Sequence, residues 1–140
     1  MPRREPKWLT REEAEAIHAT QLAQHGGLAG MRDAGALESA LNRPRHQWHY
    51  KTAGDIAACA AAYGFGIAKN HAFSDGNKRT ALVAMAVFLQ RNGLTLSAAE
   101  PDAVITMLGV ADGTITERAL AGWLRANVKR RAPLGKRPHG

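Results

Sequence analysis

Residues 56–91, IAACAAAYGFGIAKNHAFSDGNKRTALVAMAVFLQR, consist of two strongly helical runs joined by a short polar break, and this pattern decides the fold class. In the first run Ile56, Tyr63 and Ile67 share one face of a helix that extends to about Lys69. Its small residues, such as Ala60 and Gly64, let a neighbouring helix approach closely. The second run is apolar almost all the way round, with Ala81, Met85, Phe88 and Leu89 on one side and Leu82, Val83 and Ala86 on others. A helix without a polar face is expected at the buried centre of a bundle. Asp55 is placed to cap the first run, and Asn92-Gly93 ends the second.

Working outward, Thr10-Arg11-Glu12-Glu13 is a capping box, so a helix starts there and runs to about His25, where Gly26-Gly27 stops it. Asp33 caps a short helix through Leu41, ended by Asn42-Arg43-Pro44, because the residue before a proline avoids helical geometry. Residues 43–54 carry no helical period, and Trp48, His49 and Tyr50 predict an extended or hairpin-like loop. Beyond the second run, Leu94-Thr95-Leu96 reads as a short extended link. Pro101-Asp102 opens a helix to about Val110, Ala111-Asp112-Gly113 is a turn, and Thr116 caps a last helix carrying Leu120, Trp123 and Leu124. The expected architecture is all-α: one domain over 8–128, a flexible segment 1–7 and a disordered basic tail 129–140.

At 140 residues, 45% hydrophobic and 22% charged, the chain has the make-up of a single globular domain. No apolar stretch approaches the ~20 residues needed to span a bilayer, and the basic N-terminus leads into no signal-peptide core, so the expected location is the cytoplasm. The net charge of +7 comes from the ends. Five basic residues lie after Val128 and three before Trp8, whereas residues 8–128 hold 11 basic and 11 acidic side chains. A neutral folded part argues against a nucleic-acid partner, which needs its basic stripe on the fold. Cys59, the single cysteine, sits among alanines and reads as a core thiol. His46 and His49 lack companion ligands, and His18, His25 and His139 read as structural or solvated.

The polar break, His71-Ala72-Phe73-Ser74-Asp75-Gly76-Asn77-Lys78-Arg79, concentrates chemistry. The following helix begins near Gly76, and its first N–H groups lack internal acceptors and carry the positive end of the dipole. Such an end binds phosphate, and Gly76 lets an anion approach the backbone. Lys78 and Arg79 add charge there, and Asp75 suits Mg²⁺ held against phosphate oxygens. His71 is placed to take a proton from an attacking hydroxyl near neutral pH. Phe73 is the apolar anchor. Asp75-Gly76-Asn77 is also ordinary turn chemistry, so the break alone leaves both readings open. A Walker loop is excluded because Arg79 follows Lys78, and Gly64-Phe65-Gly66 lacks the third glycine of a dinucleotide fingerprint.

The run from His71 to Arg79 resembles the signature of the Fic/Doc family, H-P-F-x-[DE]-G-N-G-R in its Fic members, with Lys replacing the last Gly in the Doc (death-on-curing) toxins. Residues 25–33, 37–44, 70–82 and 88–93 look like the Doc subfamily in order and spacing, so the resemblance spans roughly 8–128. It implies a helical bundle with the motif loop between two central helices and a short extended flap, Trp48, His49, Tyr50 and Lys51, that aligns a target segment. By the same resemblance His71 is the catalytic base, Asp75 holds magnesium, Gly76, Asn77, Lys78 and Arg79 bind nucleotide phosphates, and Phe73 anchors the loop. Lys78 stands where AMP-transferring members have Gly, and Leu82 where they usually have a second Arg. Both features match Doc, which implies transfer of the γ-phosphate of ATP to a threonine of elongation factor Tu, halting translation, and a Phd-type antitoxin partner. A protein adenylyltransferase and a non-enzymatic interaction module are the alternatives.

Overall fold

A computed structural model describes residues 4–51 and 55–130. Six helices form the bundle: α1 (Arg11–His25), α2 (Ala34–His46), α3 (Ile56–Asn70), α4 (Asn77–Arg91), α5 (Glu100–Asp112) and α6 (Glu117–Ala126). Leu94–Leu96 (β1) and Val128–Arg130 (β2) pair antiparallel, Thr95 opposite Lys129. The all-α expectation holds. Local capping explains most boundaries: the Thr10 box, Asp33, Asp55 and Thr116 each accept a backbone N–H with the side chain at a helix start.

Helix α3 is enclosed by α2, α4, α5 and α6. Eleven of its fifteen residues are buried, against seven in α4, so α3 and not α4 is the most enclosed element. The reason is its small side chains. A Cβ on Gly64 would stand 2.3 Å from Met85 Sδ, and one on Gly66 would stand 3.0 Å from Ala40 Cβ. Helix α4 keeps Leu82, Val83 and Ala86 only half-buried, along a groove beside α5. Between α3 and α4, Phe88 packs on Tyr63 at 5.0 Å and on Trp8 at 5.9 Å. Tyr63 Oη accepts from Leu9 N–H at 2.9 Å. Burial pushes the Cys59 thiol up to about 12, helped by the Asp55 charge, so Cys59 is an inert core group.

Three expectations need correction. The short extended flap does not form among the described residues, and 52–54 lie outside them. Helix α2 continues through Pro44, and Gln47–Lys51 follow as a π-helical turn. Glu117 of α6 holds this turn from a distance, accepting from Arg43 Nη2 and, at 2.7 Å, from Gln47 Nε2. Trp48 is buried in the core, not facing a target, while His49 and Tyr50 are exposed and the Lys51 side chain lies outside the described residues. Burying an indole and satisfying Glu117 together outweigh the one helical hydrogen bond that Pro44 cannot make. The N-terminal segment is tied down over its described part: Pro6 is buried, and Lys7 N–H donates to Asn92 Oδ1 at 2.8 Å. Lys129 and Arg130 belong to β2, so the tail begins later than expected, and residues 131–140 lie outside the described residues.

Glu13 does double duty, closing the α1 capping box and pairing with both terminal nitrogens of Arg91 at the end of α4. The Arg91 hydrogen bonds hold its carboxyl down at about 2, well below the ordinary 4.5. A folded pKa below the unfolded one stabilises fully above pH ~4.5, and the gain disappears as pH falls toward 2. Thermal unfolding of the wild type should therefore lose more stability between those pH values than Glu13→Gln, which should be the weaker protein at neutral pH. Parallel pH profiles for the two proteins would refute the pairing.

Candidate active site

The break between α3 and α4 is a loop clamped from several sides. Helix α3 ends at His71, whose φ of 50° and ψ of 54° place it in the left-handed region, the one described non-glycine residue with positive φ. That conformation disfavours most side chains and costs roughly 1–2 kcal/mol, so a structure holding a histidine there over-determines it. His71 is exposed. Past it the chain dives inward. The Ala72 carbonyl accepts from Arg32 and Asp33 N–H at 2.9 and 3.0 Å, Phe73 forms an antiparallel bridge with Met31, and Ser74 N–H donates to the Gly30 carbonyl at 3.0 Å. Phe73 is 2% exposed and sits in the core.

Asn77 does not present its amide to a ligand. Its Oδ1 accepts from Phe73 N–H and its Nδ2 donates to the Phe73 carbonyl, both at 3.0 Å. A carboxamide carries an acceptor oxygen beside a donor NH₂, so it can staple both backbone groups of a single residue. The side chain expected at an anion nest therefore locks the loop, and its backbone N–H lies in the first turn of α4.

Asp75 is exposed, yet its carboxylate is fixed. Oδ1 accepts from Gly76 N–H at 2.8 Å and Oδ2 from Leu28 N–H at 3.2 Å. These two hydrogen bonds, then the Arg79 and Lys78 charges, hold its carboxyl below the usual carboxylate range, so it is ionised at neutral pH. Gly27 is required for this approach, because its φ is 124° and a Cβ there would meet Asp75 Oδ2 at 2.8 Å. Two ionised oxygens with lone pairs still free match what Mg²⁺ takes from a protein when phosphates and water supply the rest of its shell.

Gly76, with φ 77°, precedes α4, and no side chain caps that helix. Of the six helices, α4 alone has neither a side-chain cap nor an acidic residue in its first turn. Lys78 and Arg79 stand there instead. Lys78 is exposed; Arg79 is half-buried, with Nη2 donating to the Gly26 carbonyl at 3.3 Å and Nε buried without a partner. Uncompensated N–H groups with two cations make a positive end that favours an anion. Both cations also line one end of a groove of about 580 Å³ between α1, α4 and α5, with Gln21 and His25 beside them.

Sequence reasoning overlooked part of this site. His18 of α1 is 6% exposed and its Nε2 lies 2.8 Å from the Asp75 carbonyl oxygen. Its position with Ala14 and Gln21 on the buried stripe of α1 is the available signal: a polar ring at core spacing needs a partner. Gly26-Gly27 reads as a helix stop and residues 25–33 as part of the resemblance, but neither reading gives the Leu28 N–H a partner, because a backbone donor leaves no trace in side-chain chemistry.

Comparison with known proteins gives the chain a family. The model of the Fic/DOC family matches residues 8–89, over half of the chain. Protein kinase doc of Escherichia phage P1 is 34% identical over 117 residues, covering 84% of this chain and 92% of the relative. Toxin Doc of Mycolicibacterium smegmatis is 40% identical over 96 residues, covering 66% of this chain and 69% of the relative. The chain belongs to the Fic/Doc family, on its Doc branch.

Proposed function

We propose that this chain is the toxin of a toxin–antitoxin pair and acts as an ATP-dependent protein kinase, moving the γ-phosphate to a threonine of elongation factor Tu and so halting translation. The observation that carries the reading is the uncapped, acid-free start of α4 beside Lys78 and Arg79, reached through a clamped loop that begins at His71. In the step, an imidazole nitrogen of His71 takes the proton from the threonine hydroxyl. The threonine oxygen forms a bond to the γ-phosphorus as the bond to the β-bridging oxygen breaks, and ADP leaves. Charge on the γ-phosphoryl oxygens is met by the first N–H groups of α4, by Lys78 and by Arg79. Asp75 would hold Mg²⁺, which when bound neutralises phosphate charge.

Kinase chemistry is favoured over AMP transfer by two residues of α4. Lys78 fills with side chain the space where AMP-transferring relatives have glycine. Leu82 contributes an apolar surface to the groove where they have a second guanidinium. The similarity to Protein kinase doc of Escherichia phage P1 points the same way. Incubation with elongation factor Tu and ATP labelled at the α or the γ position tests the choice. Transfer from the γ position supports the kinase; transfer from the α position alone establishes adenylylation.

An antitoxin of the Phd type is the proposed partner, through an amphipathic segment laid in the apolar groove. Val83, Met107 and Leu108 line it, and Lys78 and Arg79 lie at its end, so an occupant would cover the phosphate site. Leu108 is 49% exposed, which makes Leu108→Asp tolerable to the fold. That variant should inhibit growth as the wild type does but escape neutralisation when the antitoxin is co-expressed. Full neutralisation would place the antitoxin elsewhere. No described helix is long and apolar enough to cross a membrane, and a translation-factor substrate puts the proposed activity in the cytoplasm.

A further inference from the structure

We propose that His18 is a positioning residue of this site, holding the Asp75–Gly76 peptide in the orientation that presents both the Asp75 carboxylate and the start of α4. The inference rests on the phosphate-site reading above, but the geometry behind it is independent of which phosphate is transferred.

The His18 ring makes two contacts with the loop. Its Nε2 lies 2.8 Å from the Asp75 carbonyl oxygen. A carbonyl has no hydrogen to give, so Nε2 carries the proton and donates. The ring also lies flat on Phe73, centroids 3.8 Å apart and planes within 9°. Gly76 lies near the same ring edge: an added Cβ there would stand 3.7 Å from His18 Cδ2 and 3.8 Å from Nε2. One side chain of α1, 57 positions before Asp75, therefore touches both the anchor and the acid's carbonyl, beside the helix start of the motif.

The peptide plane makes this contact consequential. In a trans peptide the C=O and the following N–H point in opposite directions. With the Asp75 carbonyl drawn inward to His18, the Gly76 N–H is turned outward, where it donates to Asp75 Oδ1 at 2.8 Å. A flip of this peptide would break that bond and aim a carbonyl oxygen at the place where α4 offers N–H groups to an anion. His18 thus acts through Asp75 and Gly76, with no contact to the reacting atoms.

Two substitutions separate the donor from the ring. His18→Phe keeps a flat ring against Phe73 and removes the donor; His18→Gln removes the ring and keeps an N–H donor near the Nε2 position. With protein free of nucleotide, amide hydrogen exchange at Gly76 and Leu28, the two donors to Asp75, should accelerate in His18→Phe and return toward wild type in His18→Gln. Transfer from ATP should follow the same order. His18→Phe should lose about tenfold in kcat/KM, as expected for one buried hydrogen bond, chiefly through a raised KM for ATP with Mg²⁺. Unchanged exchange at Gly76 and Leu28 in His18→Phe, or equal defects in both variants, would reduce His18 to a packing group and overturn the proposal. His18→Leu repeats the donor-free arm should His18→Phe not fold. If the wild type transfers no label at all, the kinase reading fails, and the exchange result still decides the role of His18.

Discussion

Replacing His71 with asparagine should lower phosphate transfer by about 10²- to 10⁴-fold, the range lost with a general base, while thermal stability stays near that of the wild type. Asparagine is chosen because it visits the left-handed region that His71 occupies at φ 50°, so the turn out of α3 survives the change. Alanine would confound the loss of the imidazole with backbone strain. Exposure of His71 makes a loss of core packing no explanation for a defect. Circular dichroism melts beside turnover of labelled ATP check both halves. An active His71→Asn protein would mean that His71 is a helix terminator and that another group takes the proton.

The second large effect is expected from Asp75→Asn: a loss of at least about 100-fold in transfer at limiting Mg²⁺, since the metal's charge neutralisation is worth that much or more. The carboxylate accepts from two backbone N–H groups. A carboxamide offers one oxygen, so one of the two N–H groups would face an NH₂ group, and the negative charge is gone as well. The midpoint of a Mg²⁺ titration of activity should move to higher concentration. An unmoved midpoint would show that Asp75 only shapes the turn and that the metal is held by other groups.

Local chemistry made much of the fold readable. Thr10, Asp33, Asp55 and Thr116 sit next to the helices they cap, and each is seen at its start in the structure. Gly26 and Asn92 likewise stop the helices they follow. What escaped depends on partners far along the chain. Pro44 was read as a stop because its own neighbourhood says so; Glu117, more than 70 residues later, holds Arg43 and Gln47 and carries the helix through. Strand β2 exists because it pairs with Leu94–Leu96, across two intervening helices. The flap failed for a third reason: Trp48 is an aromatic, and whether an isolated aromatic faces core or solvent is decided by what the fold has left uncovered.

The site divides in the same way. His71, Asp75, Gly76, Lys78 and Arg79 fall within nine residues, and the resemblance of that short run to a family signature is what makes it legible as a candidate site. For Asn77 the resemblance implies a phosphate-binding role. In the structure its side chain hydrogen-bonds both backbone groups of Phe73, a role that fixes the loop. The supporting frame, made of His18, Gly27 and Leu28, comes from an earlier helix and a glycine loop. Only tertiary packing sets these groups beside Asp75.

Nuclear magnetic resonance of the uniformly labelled protein, titrated with ATP and Mg²⁺, tests the central claim most directly. Saturating shifts should appear together at the backbone amides of Gly76, Asn77, Lys78 and Arg79 and at the imidazole of His71, with amides on the far face of α6 unmoved. A titration that leaves those amides and that ring in place, or moves a different surface of the protein, would contradict the account.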